Sequence, residues 1–90
     1  MKTHIVKSWP KFFIPIASGE RTHELRRDDR GYCVGDYLDL KEFEPISGDF
    51  TGRSCLVKIT SLTSAIEPCA VSEEALNIEF CILSVKRVAD

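Results

Sequence analysis

One segment restricts the folding of this 90-residue chain more than any other, the polar stretch SGERTHELRRDDR at residues 18–30. Nine of its thirteen residues are charged or are histidine, so it cannot form a strand that is buried on both faces. Residues 22–27 nevertheless lie between a glycine turn and an aspartate-rich turn, which is the position of a strand. The chain must therefore build a sheet in which this strand presents a fixed polar surface.

Strand alternation predicts which side chains share that surface. It places Thr22, Glu24 and Arg26 on one face, and we expect the opposite face, which carries Leu25, to be partly buried. On the first face a carboxylate lies two residues from a guanidinium, whose planar fork suits phosphate, carboxylate or a base edge. The alternative is a lattice of surface salt bridges, each worth less than ~1 kcal/mol.

The composition is that of one small folded domain, which we assign to residues 1–90. The net charge is −2, but residues 1–30 carry +3 and residues 31–90 carry −5. A basic first third can present a positive patch to an anion, whereas the whole chain is not basic enough to coat nucleic acid non-specifically. No segment resembles a signal peptide or approaches the length of a membrane span, so we expect no membrane partner.

The cysteine pattern argues against a metal site and against a disulfide framework. Cys33, Cys55, Cys69 and Cys81 form no CxxC pair, and no CxxH motif accompanies them, so we expect no bound metal and no cofactor. Cys55 and Cys81 fall in apolar, strand-like runs and are expected to be small buried hydrophobes. Reduced thiols of this kind are typical of a cytoplasmic protein.

The segment before the charged strand has the pattern of a short helix. Ser8 is predicted to cap it, with Pro10 in its first turn and Gly19 as its C-terminal cap. Pro15 is expected to shorten or kink it. Its apolar stripe is predicted to face the core and consists of Trp9, Phe12, Phe13, Ile16 and Ala17.

The remaining segments are predicted to be strands joined by short connections. These are residues 4–7, 37–44, 53–63 and 77–88, the last apolar on both faces and therefore central in the sheet. A loop or short helical turn is predicted at residues 64–74, and residues 71–76 can cap and start one helical turn. The fold class is α+β, mainly β: a small closed or half-open β-barrel with one N-terminal helix packed over it.

Glu42 has an unusual phase within its predicted strand. It continues the face of Leu38 and Leu40, so alternation points its carboxylate inward. An inward acid needs a cationic or hydrogen-bonding partner. Two roles remain open: a structural ion pair with Arg26 or Arg53, or a cleft acid that recognises or activates a ligand.

These residues in this order resemble the DUF3850 family, a small bacterial and phage family of the ASCH and PUA-like superfamily. The resemblance spans nearly the whole chain, and its centre is the superfamily signature Gly-x-Lys-x-x-Glu-x-Arg, present here as residues 19–26, GERTHELR. It rests on His4, Lys7, Pro10, Phe12, Phe13, Gly19, Thr22, Glu24, Arg26, Asp29, Arg30, Val34, Gly35, Asp36, Leu38, Leu40, Glu42, Thr51, Gly52, Arg53 and the end strand at residues 80–83.

The resemblance implies a PUA-like β-barrel with a cleft between helix and barrel, and a role in binding RNA or acting on modified nucleosides. Some ASCH proteins of the wider superfamily resemble N4-acetylcytidine amidohydrolases, which use a Lys of the signature, a Thr three residues later and a distant Glu. This chain departs at both signature positions, with Arg21 for the Lys and Glu24 for the Thr. Since Arg stays protonated, it cannot serve as a base or nucleophile. We therefore expect binding rather than catalysis.

Three functions follow from these observations. The first is an RNA-binding module whose ligand site contains Lys7, Arg21, Thr22, Glu24, Arg26 and Glu42. The second is an amidohydrolase-type enzyme on a modified nucleoside such as an N4-acylated cytidine, with Glu24 or Glu42 as acid and base. The third is a phage factor that binds a host protein through the acidic part of the chain.

Overall fold

The computed structural model describes residues 1–68 and 76–88. This part of the chain forms a mainly β protein with one short helix. Its elements, in chain order, are β1 (Thr3–Ser8), α1 (Pro10–Ser18), β2 (His23–Arg27), β3 (Tyr37–Glu44), β4 (Asp49–Ser64) and β5 (Phe80–Arg87).

The strands form one sheet in the order β1-β3-β4-β5-β2. Strands β1 and β3 are parallel, and the other neighbours are antiparallel. Strand β5 lies between β4 and β2, which confirms the prediction that it is interior to the sheet. Strands β1 and β2 are the two edges, so the charged strand has a backbone partner on one side only.

The sheet curls until its two edges meet through side chains rather than backbone hydrogen bonds. The Arg26 guanidinium donates to the Lys7 carbonyl at 3.0 Å, and the Arg30 guanidinium donates to the Ile5 carbonyl at 3.1 Å. We call this junction, with Ile5 and Lys7 on one side and Arg26 and Arg30 on the other, the seam. The sheet is therefore a half-barrel, the more open of the two predicted forms.

The core fills the inner face of the half-barrel. Alternation is confirmed for Leu38 and Leu40 of β3 and for Val57 and Ile59 of β4, all of which are fully buried. The core is completed by Val6, Phe13, Ile16, Tyr32, Cys81, Leu83 and Val85. Burying these side chains supplies the main free energy that holds the sheet in its curved form.

The helix begins one residue later than the cap prediction requires. Trp9 is its N-cap and makes no side-chain cap bond, while Ser8 is the last residue of β1 and is buried, so the prediction of a Ser8 cap is wrong. The side chain of residue 8 points inward like those of His4 and Val6, because this residue belongs to strand β1 and not to the helix. Gly19 ends the helix at φ 84°, as predicted for a C-terminal cap. The helix continues for only three residues beyond Pro15.

Two expectations about burial are wrong. Trp9 and Phe12 were expected in the core, but they are 46% and 36% exposed, whereas Phe13 and Ile16 are buried. A nine-residue helix that covers one end of the half-barrel buries only the side that faces it, so the outer part of the stripe stays accessible. Leu25 is 56% exposed. The buried face of β2 is instead the one that carries Glu24, because that face points into the half-barrel.

Strand β4 is longer than predicted and contains two irregularities. Residues 51–53 bulge opposite Glu42, and Gly52 at φ 94° supplies the backbone conformation that the bulge needs. A second register shift lies between Ile59 and Ser61 and changes the face that points inward, so Ser64 is buried. Cys69 and most of the helical turn predicted at residues 71–76 lie outside the described residues.

Candidate functional site

A cavity of about 360 Å³ opens where the start of the helix meets β2 and the end of β1. We call it the seam pocket. It is lined by Lys7, Ser8, Trp9, Phe12, Arg21, Glu24, Leu25 and Arg26. Four of the six residues predicted for the ligand site, Lys7, Arg21, Glu24 and Arg26, therefore come together here.

Glu24 and Arg26 share the inner face of β2, as alternation predicted. Glu24 is 5% exposed, and its Oε2 accepts a hydrogen bond from Arg26 Nε at 2.9 Å. The same guanidinium reaches across the seam to the Lys7 carbonyl through Nη1. Arg26 is thus held at both ends, and it fixes the Glu24 carboxylate in one orientation.

The second oxygen of Glu24 has no partner. In the described part of the chain two buried side-chain polar atoms make no hydrogen bond, Glu24 Oε1 and Ser8 Oγ. Both residues line the seam pocket and are at least nine-tenths buried. A hydrogen bond that a buried polar atom does not make costs roughly 1–3 kcal/mol, and protein groups leave that cost unmet at both atoms. A ligand that offers a donor to Glu24 and a donor or acceptor to Ser8 would recover that free energy.

Aromatic rings and cations form the outer wall of the pocket. The rings of Trp9 and Phe12 are stacked, with centroids 6.1 Å apart and planes inclined by 25°. The Arg21 guanidinium lies 5.2 Å from the centroid of Phe12, and Lys11 Nζ lies 5.1 Å from the same ring. The wall therefore presents flat π surfaces with positive charge beside them, which suits an aromatic ligand that carries negative charge.

A second and larger cavity, of about 550 Å³, adjoins the first and runs along the free edge of β1. We call it the edge groove. It shares Lys7 and Arg26 with the seam pocket. Its lining consists of Ile5, Val6, Lys7, Arg26, Arg27, Asp29, Arg30, Tyr32, Lys41 and Phe50.

Glu42, the fifth predicted residue, is fully buried, as its phase predicted, but it does not line the seam pocket. Its Oε1 accepts from Thr51 Oγ1 at 2.6 Å and from Arg53 Nε at 2.7 Å, and its Oε2 accepts from Arg53 Nη2 at 2.8 Å. Hydrogen bonds from Arg53 and Thr51 hold the pKa of Glu42 below its usual value, although burial acts in the opposite direction. Of the two partners that sequence left open, Arg53 is the one found.

Thr22, the sixth predicted residue, lies elsewhere. It precedes β2, its carbonyl accepts from the Val85 amide at 2.9 Å, and its side chain is exposed beside a separate cavity lined by Gly19 and Lys86. The seam pocket instead contains Ser8, which sequence reasoning assigned to the helix. The missed signal was the phase of His4 and Val6, which places residue 8 on the inner face once β1 is extended by one residue.

Another buried polar group is structural. Asp36 Oδ2 accepts from His4 Nε2 at 2.9 Å and from the Cys33 amide at 3.1 Å, and its Oδ1 accepts from the Lys2 amide. These bonds, led by the one from His4, lower the pKa of Asp36. They fix the turn before β3 against the start of β1 and so set the position of the β1 edge.

Two further observations concern the described residues only. No group of three or more histidine, cysteine, aspartate or glutamate side chains within them has an arrangement that could hold a metal ion. The nine-residue α1, the helix found in residues 1–68 and 76–88, is too short to cross a membrane.

Fold and site together define a class: a small, mainly β protein whose half-barrel carries a polar pocket at its unclosed seam. Within that class the chain belongs to the DUF3850 family, a domain of unknown function whose sequence profile matches residues 3–85. It is 40% identical over 62 residues to an uncharacterised 12.9 kDa protein in the GpA 3′ region of Escherichia phage P2. That alignment covers 69% of this chain and spans 55% of the length of the phage protein.

Proposed function

We propose that this protein is an RNA-binding module that takes one unpaired base into the seam pocket. The observation that carries the proposal is the pair of buried atoms without partners, Glu24 Oε1 and Ser8 Oγ, at a pocket with aromatic and cationic walls. The cavity of about 360 Å³ suits a single base or nucleoside and is too small for a duplex.

The chemistry of the pocket matches the edge of a base. Each nucleobase carries N–H groups on its pairing edge, which an unpaired carboxylate oxygen can accept, and ring or carbonyl acceptors, to which a hydroxyl can donate. Glu24 would take the first role and Ser8 the second. Trp9 stands at the wall with nearly half of its surface accessible, so a base that enters can stack on it.

We also assign the half-barrel to the PUA-like fold of the ASCH superfamily, as one domain over residues 1–90. The assignment is supported by the position of the signature segment, since residues 19–26 lead into β2 and supply Arg21, Glu24 and Arg26 to the pocket. It is supported as well by the helix that stands beside the pocket, because Trp9 and Phe12 come from it or its cap.

Titration with short single-stranded RNAs at two salt concentrations tests the proposal. Wild-type protein should bind at low salt, and Arg26→Ala should weaken binding. Glu24→Gln should weaken it at least about tenfold, because an amide N–H or a neutral oxygen then replaces the charged acceptor, a difference of at least about 1.4 kcal/mol. Glu67→Gln is the matched control, since Glu67 is exposed and lies outside the pocket lining. No binding at low salt, or equal binding by wild type and Glu24→Gln, would refute the proposal.

A second candidate, hydrolysis of a modified nucleoside, is favoured by the same buried carboxylate. Glu24 lines the pocket, and its Oε1 has no hydrogen-bond partner among the described residues. A carboxylate oxygen in this position could act as a general base. Glu42 fits that role less well, because Arg53 and Thr51 occupy both of its oxygens. Incubation with N4-acylated cytidines separates the candidates: turnover by wild type that Glu24→Gln abolishes supports the enzyme, and absence of turnover by wild type excludes it.

A further inference from the structure

We infer that the edge groove holds the nucleotide next to the inserted base, so that the ligand is a single strand of at least two nucleotides rather than a free nucleoside. The inference rests on the proposed function, since it assigns a second subsite to the same ligand. The phosphates of this strand would contact Arg26, Arg30 and Lys7, and a base would stack on Phe50. Nothing in the base-binding role of the seam pocket requires either.

The charge of the groove is the first argument. Its lining holds five cations and one carboxylate, on a protein whose net charge is −2. Three of the cations have acidic neighbours, because Arg26 pairs with Glu24, Arg27 with Glu79 and Lys41 with Asp39. The other two cations of the groove are Lys7 and Arg30.

Lys7 and Arg30 form no ion pair with the residues of 1–68 and 76–88. Lys7 Nζ instead lies 4.4 Å from the centroid of the Phe43 ring, and the Arg30 guanidinium donates to the Ile5 carbonyl. Neither cation is therefore engaged in an ion pair at the groove, although Asp29 also lines it, and cations that are available in this way attract phosphate.

The spacing of the cations is the second argument. The guanidinium groups of Arg26 and Arg30 are anchored to carbonyls of Lys7 and Ile5, two residues apart on one strand. A strand advances about 3.3 Å per residue, so the anchors lie roughly 6.6 Å apart. That distance is comparable with the separation of successive phosphates in an extended single strand. Arg26 lines both cavities, which places the first phosphate at the junction and the second further along β1.

Phe50 supplies the third argument. It is a lining residue of the groove, it is 56% exposed, and its ring is held edge-on against Phe43 with centroids 5.1 Å apart. Lys7 Nζ lies 5.8 Å from its centroid. An accessible ring that is fixed beside a cation is the element on which successive bases stack in proteins that bind single strands.

Isothermal titration at low salt, repeated at a series of higher salt concentrations, tests the inference with two kinds of probe. These are the four ribonucleoside 5′-monophosphates and the four homotrinucleotides, which place a neighbour on either side of an inserted base. The best trinucleotide should bind about tenfold more tightly than its own monophosphate, which corresponds to one added stacking and phosphate contact. Arg30→Gln removes the charge and keeps a polar side chain, although its shorter amide does not extend to the position of Nη1, from which Arg30 donates to the Ile5 carbonyl. This variant should have a lower affinity for the trinucleotide. It should also make the negative slope of log K against log salt shallower by about 0.7.

Phe50→Leu, which keeps an apolar contact with Phe43, should weaken the trinucleotide and leave the monophosphate unchanged. Lys58→Ala is the control, since it removes an exposed cation outside both cavities. Equal affinity for monophosphate and trinucleotide overturns the inference and leaves the seam pocket intact as a nucleotide site. An unchanged salt slope in Arg30→Gln also overturns it. If neither kind of probe binds wild type, the proposed function itself fails.

Discussion

Removing the Ser8 hydroxyl should make the protein more stable. Ser8 is 4% exposed and its Oγ has no hydrogen-bond partner in the described part of the chain, so the folded state carries an uncompensated desolvation cost of about 1–3 kcal/mol. Ser8→Ala removes that cost but also removes the packing contacts of one atom. We expect a net gain of about 1 kcal/mol in the free energy of unfolding, which corresponds to roughly 4–8 °C in Tm for a domain of this size.

Urea unfolding followed by circular dichroism measures this change, with the slope m compared between variants so that a change of midpoint reports stability. Thr51→Val is the matched control of opposite sign. It also deletes one hydroxyl and keeps the branched shape, but that hydroxyl donates to Glu42 Oε1 at 2.6 Å. It should cost about 1.5–3 kcal/mol, as expected for a lost hydrogen bond to a charged group.

Ser8→Ala should also bind RNA less well, because the Ser8 hydroxyl, which has no partner within the described residues, would pair with the ligand. Higher stability combined with weaker binding is the signature of a group retained for function. The reasoning is refuted if Ser8→Ala unfolds at lower urea than wild type, since the hydroxyl would then be stabilising in the folded state.

Three further predictions concern the scaffold. Because hydrogen bonds from Arg53 and Thr51 lower the pKa of Glu42 below its unfolded value of about 4.3, its stabilisation is present above that pH and is lost as pH falls through the folded pKa. The stability difference between wild type and Glu42→Gln should thus shrink below about pH 4, and a difference that grows in acid would contradict the assignment. Burial raises the pKa of Cys81 to about 11, whereas Cys33 is exposed, so a thiol reagent at pH 8 should modify Cys33 in the folded protein and reach Cys81 only on unfolding, as peptide mass spectrometry would show. Leu40→Ala, at a fully buried site, should cost about 2–5 kcal/mol in urea unfolding, and a cost below 1 kcal/mol would mean that the half-barrel is not packed around it.

The inner face of β3 shows what alternation can predict. Leu38, Leu40 and Glu42 were placed on one face from their spacing alone, and all three are fully buried. The prediction succeeds because β3 has neighbours on both sides and keeps one register with β1 through these residues. The ion-pair partner of Glu42 could not be chosen from the sequence, because the bulge at residues 51–53 that brings Arg53 to Glu42 depends on tertiary structure.

Strand β2 shows the limit of the same argument. Its alternation correctly joined Glu24 with Arg26, but the apolar Leu25 suggested the wrong buried face. A single leucine on an edge strand is a weak indicator of burial, whereas the curl of the sheet, which sequence does not report, turns Glu24 inward. For the same reason sequence could not show that Arg30 and Phe50, distant along the chain, line one groove with Lys7.

The seam gives the half-barrel a direction in which it can open. Elsewhere, separating two strands breaks a ladder of backbone hydrogen bonds, whereas the hydrogen bonds across the seam in residues 1–68 and 76–88 are the two arginine contacts with the Lys7 and Ile5 carbonyls. Each is a hydrogen bond from a charged donor, worth about 1.5–3 kcal/mol, so their release costs roughly 3–6 kcal/mol before any loss of packing around Val6, and an open form would be populated at about one part in a hundred or less. The volume of the seam pocket in the closed form is then a lower limit on the size of ligand that the protein can bind. The phosphates of an entering strand would accept the hydrogen bonds that the two guanidinium groups donate to the carbonyls in the closed form.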